Sequence, residues 1–417
     1  MGTLFRIAWR NVWRHGKRTA LTVITMAFGL GMYIGVGSML KGMDRGGLEN
    51  ILTLTDSSVR ISTKAYEDER RSSPLEYGLP DPRALDTAVR KDSRVQATTF
   101  RTRFIGQLSN GRDSIPVMAV AVDPVGDADV FELEKFTVGS WFAGKDARQI
   151  VLGRVLAKDL GVKVGDWVTL AARTRYEAQN ADDFLVAGLI DSSEPSVNSS
   201  GVYISFADAD NFLDLEGLRT EMAVRMVNRV NLKDLMADSD DLAASVSARF
   251  PALAAKSFGE VGRQFLEIAK VKSKGTGVII VIILLIAGVG IANTVLMSVY
   301  SRVREIGVLR AFGFKPKAIS RLFLIEGGLI GLIGSLAGVV VGIGMTAYLV
   351  YVGFPLDSMM GDGAGFGMPI WGTLYGEWDV VSMIQAAVFG VLVALLASRS
   401  PAKKASKLEV TDALRFV

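Results

Sequence analysis

The residue types that most often carry out chemistry in proteins are scarce in this sequence. It contains no cysteine and a single histidine, His15. The missing cysteines exclude disulfides, thiol catalysis and a cysteine-based zinc site, and one histidine cannot form a histidine-rich metal site. Two acidic groups remain as candidates, an aspartate pair at 182–183 and three aspartates within 238–241. Their surroundings are more typical of solvated turns or helix starts, so we expect no catalytic centre and no metal site.

Motifs that bind nucleotides are also missing or misplaced. No G-x-x-x-x-G-K-[ST] segment occurs, which excludes a P-loop for ATP within this sequence. The glycine-rich segment GDGAGFG at 361–367 follows no predicted strand, and its acidic neighbours would repel a phosphate. The net charge of +4 is too small to indicate a nucleic-acid partner. We therefore expect this chain to bind no cofactor of its own and no nucleic acid.

Four long apolar segments predict transmembrane helices. The sequence is 49% hydrophobic, and these segments are almost free of charged residues. About 20 residues at ~1.5 Å per residue cross a bilayer core of ~30 Å. The predicted spans are residues 19–41, 275–300, 319–352 and 380–398. A cleaved signal peptide is the alternative for the first span, but its apolar run is too long and no A-x-A site follows it.

Positive charges beside these spans predict their orientation. Lysine and arginine concentrate in residues 1–18, in the segment 301–318 and in the tail 399–417, whereas the loop 353–379 carries only acidic charges. Because positive loops remain on the cytoplasmic side, both termini and the 301–318 segment are predicted to be cytoplasmic. Residues 42–274 then lie outside the membrane.

The first 18 residues predict an amphipathic helix that contacts membrane lipid. Apolar side chains share one helical face, and arginines occupy another. The apolar set is Leu4, Phe5, Ala8, Trp9, Val12 and Trp13, and the basic set is Arg6, Arg10 and Arg14. Such a helix lies in the headgroup layer, with its tryptophans directed inward.

The large outer segment, 42–274, predicts an α+β domain. Strands are expected at 59–62, 99–109, 114–123, 167–172, 184–190 and 201–205, with short helices at 156–160 and 206–215. From about Phe258 a helical pattern runs into the second span, so we expect a continuous stalk. The predicted fold class is therefore a four-helix membrane protein with a large extracytoplasmic α+β domain between its first and second helices.

The cytoplasmic segment 301–318 predicts a short docking helix, SRVREIGVLRAF, that Gly313 ends and Pro316 restarts. Ile306 and Leu309 could bury in a groove on a partner protein. The charged residues expected around them are Arg304, Glu305 and Arg310. From the pattern alone, an ordinary interfacial connector is an equally good interpretation.

This segment resembles the coupling-helix signature R-x-R-E-I-G-x-L-R-A-x-G of the FtsX-type (MacB/LolC/LolE) ABC transporter permeases. The matching residues are Arg302, Arg304, Glu305, Ile306, Gly307, Leu309, Arg310, Ala311 and Gly313. Four further stretches resemble family segments in the same order, at 8–22, 151–170, 184–205 and 400–416. The resemblance therefore extends over nearly the whole chain.

The resemblance implies a bacterial inner-membrane complex with the large domain in the periplasm. Two permease subunits, identical or paralogous, would stand above two ABC-type ATPase subunits that bind ATP and Mg²⁺, and the 302–313 helix would receive the power stroke. The chain itself would be a non-catalytic membrane subunit.

The resemblance is compatible with three different functions. Release of lipoproteins, or of another amphiphilic substrate, to a periplasmic carrier is the leading expectation. The alternatives are a MacB-like efflux permease with an adaptor and outer-membrane channel, and an FtsX-like mechanotransmitter that regulates a cell-wall hydrolase. MacB carries an ATPase domain ahead of its first span, and the lack of one here favours the LolC/LolE arrangement or a stand-alone efflux permease.

Polar and small residues inside the spans suggest internal contacts. Asn293 is expected to form an interhelical hydrogen bond, and Glu326 to pair with Arg321 or with an arginine of the amino-terminal helix. The third span also carries glycines at a spacing that allows close helix packing. These are Gly327, Gly331, Gly334, Gly338 and Gly342. We favour packing within one subunit over a dimer seam.

Overall fold

The structure is a computed structural model that forms two compact units. It describes residues 2–14, 16–142, 148–227, 232–355 and 372–407. The membrane unit comprises Met1–Met43, Ala269–Phe354 and Leu374–Val417, and the outer domain comprises Asp44–Ile268 and Pro355–Thr373. The glycine-rich segment at 361–367, His15 and the end of the 400–416 motif lie outside the described residues.

The described residues contain fourteen α-helices and twelve strands. The helices are α1 (Gly2–Arg14), α2 (Gly16–Asn50), α3 (Lys64–Asp68), α4 (Pro82–Val89), α5 (Pro124–Val130), α6 (Arg154–Asp159), α7 (Pro195–Ser200), α8 (Phe206–Phe212), α9 (Leu232–Arg249), α10 (Phe258–Val261), α11 (Arg263–Tyr300), α12 (Val303–Ala311), α13 (Pro316–Tyr351) and α14 (Val380–Ser406). The strands are β1 (Val59–Thr63), β2 (Val95–Ser109), β3 (Ser114–Val122), β4 (Thr137–Gly139), β5 (Gln149–Gly153), β6 (Trp167–Arg173), β7 (Gln179–Ile190), β8 (Gly201–Ser205), β9 (Glu221–Met226), β10 (Leu253–Ser257), β11 (Phe354–Pro355) and β12 (Thr373–Leu374).

Four helices among the described residues are long and apolar enough to cross a membrane. They are Gly16–Thr55, Phe265–Tyr300, Pro316–Tyr351 and Val380–Ser406. The predicted membrane fold class is thereby confirmed. Several helices are longer than the predicted spans, because regular hydrogen bonding continues beyond the apolar run. The first extends well past residue 41. The helix expected to run from about Phe258 into the second span is interrupted, since α10 ends at Val261 and α11 begins at Arg263.

Glycines of α13 allow the spans of the membrane unit to approach each other closely. A Cβ added at Gly334, Gly338 or Gly342 would come within 2.7 Å of a side chain of α2. A Cβ at Gly327 would collide with Ser398 of α14, and one at Gly331 would lie 2.2 Å from the Ala394 Cβ. The stripe therefore packs against two helices of the same chain, in agreement with the interpretation favoured from the sequence.

The outer domain is built on a ten-stranded sheet. The strand order is β10-β1-β9-β2-β3-β8-β5-β7-β4, and β6 pairs with both β2 and β7. The pairs β3–β8 and β5–β7 are parallel, and the other pairings described are antiparallel. Every strand predicted from the sequence is present, and the predicted α+β class is confirmed.

Three phenylalanines pack together in one part of this domain's core, between α8 and the sheet. Phe212 of α8 makes edge-to-face contacts with Phe104 and Phe184, at ring-centroid distances of 6.3 and 5.6 Å. All three side chains are almost completely buried. Edge-to-face pairs add a specific geometry to the burial of apolar surface, so they fix α8 against β2 and β7.

The first long helix ends inside the outer domain in a π turn, Ile51–Thr55, where Asp56 N donates to Ile51 O at 2.9 Å. The carbonyl oxygen of Thr55 accepts hydrogen bonds from Arg101 Nη1 at 3.4 Å and Arg103 Nη2 at 3.2 Å. Positive charge near the carboxyl end of a helix complements its dipole. Two strand arginines therefore hold the end of this helix.

A buried ionic cluster surrounds this helix end. Asp56 accepts from Arg60 Nη1 at 2.5 Å, and Glu221 accepts from Arg70 Nε at 2.8 Å and Arg103 Nε at 3.2 Å. Burial alone would raise the pKa of Glu221, but the positive charges of Arg103, Arg70 and Arg60 lower it from 4.5 to about 2. The cluster thus needs its carboxylates ionised.

Replacing Glu221 with glutamine should destabilise the outer domain by about 3–5 kcal/mol, because buried arginines lose their counter-charge. The pKa of Glu221 is lower in the folded protein than in the unfolded chain, so its ionised carboxylate stabilises the fold fully above about pH 4.5. This stabilisation is lost as the pH falls toward about 2. Thermal unfolding and limited proteolysis of the full chain across this range measure both effects. The exposed Glu177→Gln variant is the control, and an equal loss of stability in both variants would contradict the role given to the cluster.

Substituting alanine for Gly331 should disturb the contact between α13 and α14, because the new Cβ would lie 2.2 Å from the Ala394 Cβ. We expect a loss of about 1–3 kcal/mol, typical of overpacking. Gly344→Ala is a matched control on the same helix, since nothing lies within 4 Å of its added Cβ. Thermal stability of the purified protein in detergent distinguishes the two, and equal stabilities would refute the tight contact.

Candidate functional site

The helix α12 forms a short, separate element between α11 and α13. Arg302, the residue before it, has a non-helical backbone with φ −128° and ψ 22°. Gly313 ends the segment with φ +89°, a conformation that glycine adopts without strain. Pro316 then begins α13, where a proline at the first helical position costs no hydrogen bond. The structure therefore contains the helix, the glycine stop and the proline restart that the sequence predicts.

The inner face of α12 is buried against the membrane unit. Val303, Ile306 and Gly307 are buried, and Ile306 belongs to the apolar core that α2, α11, α13 and α14 form. Leu309 is partly buried against the same core. The expectation that Ile306 and Leu309 insert into a partner was therefore wrong, since the helix uses them to anchor itself.

The outer face of α12 exposes a different pair of apolar residues. Val308 is 41% exposed, and Phe312, directly after the helix, is 80% exposed. Arg304 and Glu305 are also exposed, and Arg310 is partly exposed. An aromatic side chain bordered by charged residues is the usual composition of a protein–protein hot spot. The surface available to a partner is therefore centred on Phe312.

Arg302 forms a buried ion pair with Glu326 of α13. Only 5% of Arg302 and 3% of Glu326 is exposed. Arg302 Nη1 donates to Glu326 Oε2 at 3.2 Å, and Ser298 Oγ of α11 donates to Oε1 at 2.6 Å. Two expectations are corrected here. Glu326 pairs with neither Arg321 nor the amino-terminal helix. Arg302, which was predicted to belong to the docking surface, is buried inside the membrane unit.

The amino-terminal helix also meets α12. Arg14 Nη1 lies 2.7 Å from Glu305 Oε1, and both side chains are at least half exposed. An ion pair this exposed contributes at most about 1 kcal/mol. It is therefore a contact that a docking partner can break at small cost.

One face of α1 packs against α13, and another is exposed. Ala8 and Val12 are buried with Leu322 and Leu329, whereas the aromatic residues are exposed. The exposed aromatic residues are Phe5, Trp9 and Trp13. The sequence placed all of these apolar residues on one lipid-facing surface. The structure separates them into two adjacent rows on the helix, because residues four apart lie above one another. Ala8 and Val12 form the row that packs against α13, and the aromatic residues form the exposed row.

Asn293 of α11 has an exposed side chain, and it makes no hydrogen bond within the part of the chain that the structure describes. The interhelical bond expected for it is made by the next residue, Thr294, whose Oγ1 lies 2.7 Å from the Oγ1 of Thr22 in α2. One position along a helix changes the direction of a side chain by about 100°, which the sequence pattern did not resolve.

The aspartate groups singled out in the sequence have ordinary partners. Asp182 pairs with Arg148, and Asp183 accepts from Thr169. In the other group, Asp238 and Asp241 pair with Arg94, and Asp240 accepts from Ser257. No group of three or more potential metal ligands occurs in the described residues.

Comparison with known proteins agrees with this architecture. Residues 277–410 match the model of the FtsX-like permease C-terminal family, and residues 19–245, more than half of the chain, match the MacB-like periplasmic core domain. The chain is 30% identical to the ABC transporter permease YtrF of Bacillus subtilis over 56% of its length, and this match spans 52% of that relative.

Two further similarities cover larger shares of a known protein. The lipoprotein-releasing system transmembrane protein LolE of Haemophilus influenzae is 23% identical over 99% of both chains. The crystal structure of the periplasmic region of MacB from Actinobacillus actinomycetemcomitans aligns at 16% identity, with 53% of this chain and 98% of that chain covered and a TM-score of 0.35.

Proposed function

Because this chain belongs to the family of FtsX-like ABC transporter permeases with a MacB-like periplasmic core domain, we propose that it couples ATP hydrolysis by a separate subunit to work outside the membrane. In this proposal the chain is a non-catalytic subunit of the bacterial inner membrane, and ATP and Mg²⁺ bind to the partner ATPase. The observation that carries the proposal is α12, which is anchored on its inner face and exposes Phe312 on its outer face.

The chemistry of this surface supports docking to a folded protein. Phe312 provides an apolar anchor, and Arg304 and Glu305 provide charged groups beside it. Aromatic anchors surrounded by polar groups carry most of the binding energy in protein interfaces. Because α12 directly follows one span and precedes another, a force applied to it reaches both α11 and α13. Two permease subunits above two ATPases complete the proposed assembly.

The first function that we propose is the release of lipoproteins to a periplasmic carrier. The match to LolE along 99% of both chains supports it. So does the exposed apolar surface of the first two spans, which suits contact with acyl chains. This surface includes Leu21, Ile24 and Phe28 of α2 and Leu285, Ile286 and Val289 of α11. Paired subunits would enclose it as a laterally open cavity.

MacB-like efflux is the second candidate. The match of residues 19–245 to the MacB-like periplasmic core domain supports it. In that case the partners are an adaptor and an outer-membrane channel. An FtsX-like mechanotransmitter that regulates a cell-wall hydrolase is a third possibility, supported by the match of residues 277–410.

Affinity purification from the native membrane, followed by mass spectrometry, tests the proposal. We expect a separate ATPase and a second permease subunit, with acylated lipoproteins and a carrier as further components. Recovery of an adaptor and an outer-membrane channel would favour efflux, and recovery of a hydrolase regulator would favour mechanotransmission. A complex without any ATPase would refute the coupled function altogether.

Replacing Phe312 with alanine should weaken ATPase binding by about 2 kcal/mol, or roughly 30-fold in Kd, because an exposed aromatic anchor is removed. Tyr351→Ala is the matched control, since Tyr351 is 77% exposed at the opposite end of α13. Titration of the purified permease with its ATPase measures both variants. Equal affinity of Phe312→Ala and the control would show that the ATPase docks elsewhere.

A further inference from the structure

Arg302 occupies the joint between the second span and α12. Only residues 301 and 302 separate α11 from α12, and Arg302 breaks the helical backbone there. Its own N–H donates to Val299 O at 3.1 Å, while its carbonyl accepts from Ile306 N at 2.9 Å. A rotation of α12 relative to α11 must therefore change the backbone at Ser301 or Arg302, and the Arg302 side chain moves with it.

The guanidinium of Arg302 leaves its best hydrogen-bonding edge unused. Nη1 makes the single bond to Glu326, whereas Nε and Nη2 are buried and have no acceptor among the described residues. Nε–H and one N–H of Nη2 point in the same direction, and this fork binds a carboxylate through two parallel bonds. Buried donors without an acceptor destabilise the state in which they occur. A buried unsatisfied group of this kind calls for an explanation.

Glu326 is held more firmly than Arg302. Its Oε1 accepts the bond from Ser298, and the next residue, Gly327, lies so close to Ser398 of α14 that an added Cβ would collide with the Ser398 Oγ. The carboxylate is thus fixed by α11 and by the close packing of α13 on α14. Between the two partners, the long side chain at the joint is the one free to change its contact.

We propose that Arg302 is a positioning residue for energy coupling, which exchanges its single Nη1 contact with Glu326 for the two-bond contact of Nε and Nη2 when α12 moves. The state with the displaced helix gives up the Nη1 bond and forms two bonds from Nε and Nη2, so it has a net gain of one hydrogen bond. The ion pair therefore joins the movement of α12 to the third span. This inference rests on the proposed ATP-driven function.

The substitution Arg302→Lys tests the exchange. Lysine retains the positive charge and one contact to Glu326 but has no fork, so the resting state is preserved and the displaced state is not. In complexes reconstituted with the ATPase, we expect normal assembly and thermal stability. We also expect a loss of about tenfold in the stimulation of ATP hydrolysis that binding to the permease produces, within the usual range of coupling effects. Arg321→Lys, at an exposed arginine of α13 that does not contact Glu326, is the matched control and should leave the stimulation unchanged.

A second variant keeps the test decisive if Arg302→Lys fails to fold. The double variant Arg302→Gln/Glu326→Gln removes both charges together, so no buried ion is left uncompensated. It also removes the fork, and it should therefore reproduce the loss of stimulation at normal assembly. Full stimulation in either variant would overturn the exchange. Equal loss in stimulation and in thermal stability would assign Arg302 a purely structural role. If the wild-type chain recruits no ATPase, the proposed function fails, and that result is visible before any variant is made.

Discussion

The hydrocarbon interior of a membrane offers no hydrogen-bond partners, and the structure of the membrane unit follows from this constraint. Backbone groups bond within four long helices. Polar side chains bond to one another, as Thr22 does with Thr294. Glu326 has both Ser298 and Arg302 as donors. The glycines of α13 bring α2 and α14 close enough for a compact core to enclose these groups. The polar contacts around Glu326 therefore depend on the close packing of the spans.

In the outer domain, the buried charges near a helix end are likewise paired with one another. Asp56 and Glu221 stand among Arg60, Arg70 and Arg103, and each carboxylate has more than one basic neighbour. A network of this kind distributes every charge over several partners, so each buried ion is compensated. It also ties β1, β2 and β9, which are distant in sequence, to the last turn of the first long helix. The positions of these buried charges therefore determine which strands lie beside the end of the helix.

Sequence patterns predicted the features that depend on composition and local periodicity. The four spans, the strands of the outer domain, and the glycine and proline that bound α12 are all of this kind. The direction of single side chains was not accessible. Ile306 and Phe312 are both apolar residues of one short segment, and only the packing of α12 on the neighbouring spans shows which is buried. The pairing of Arg302 with Glu326 and the cluster around Glu221 join residues far apart in sequence, for which periodicity gives no signal.

The π turn at Ile51–Thr55 bears on how the length of the first long helix can change during evolution. Inserting one residue into a regular α-helix rotates all side chains beyond it by about 100°, which would turn a buried face outward. A π turn absorbs one extra residue in a wider loop, closed here by the bond from Asp56 N to Ile51 O. Deleting one residue of this turn would leave the register of α2 before it unchanged, but it would draw Thr55 and Asp56 away from the arginines that bind them. The length of this helix can therefore change only together with the arginine cluster.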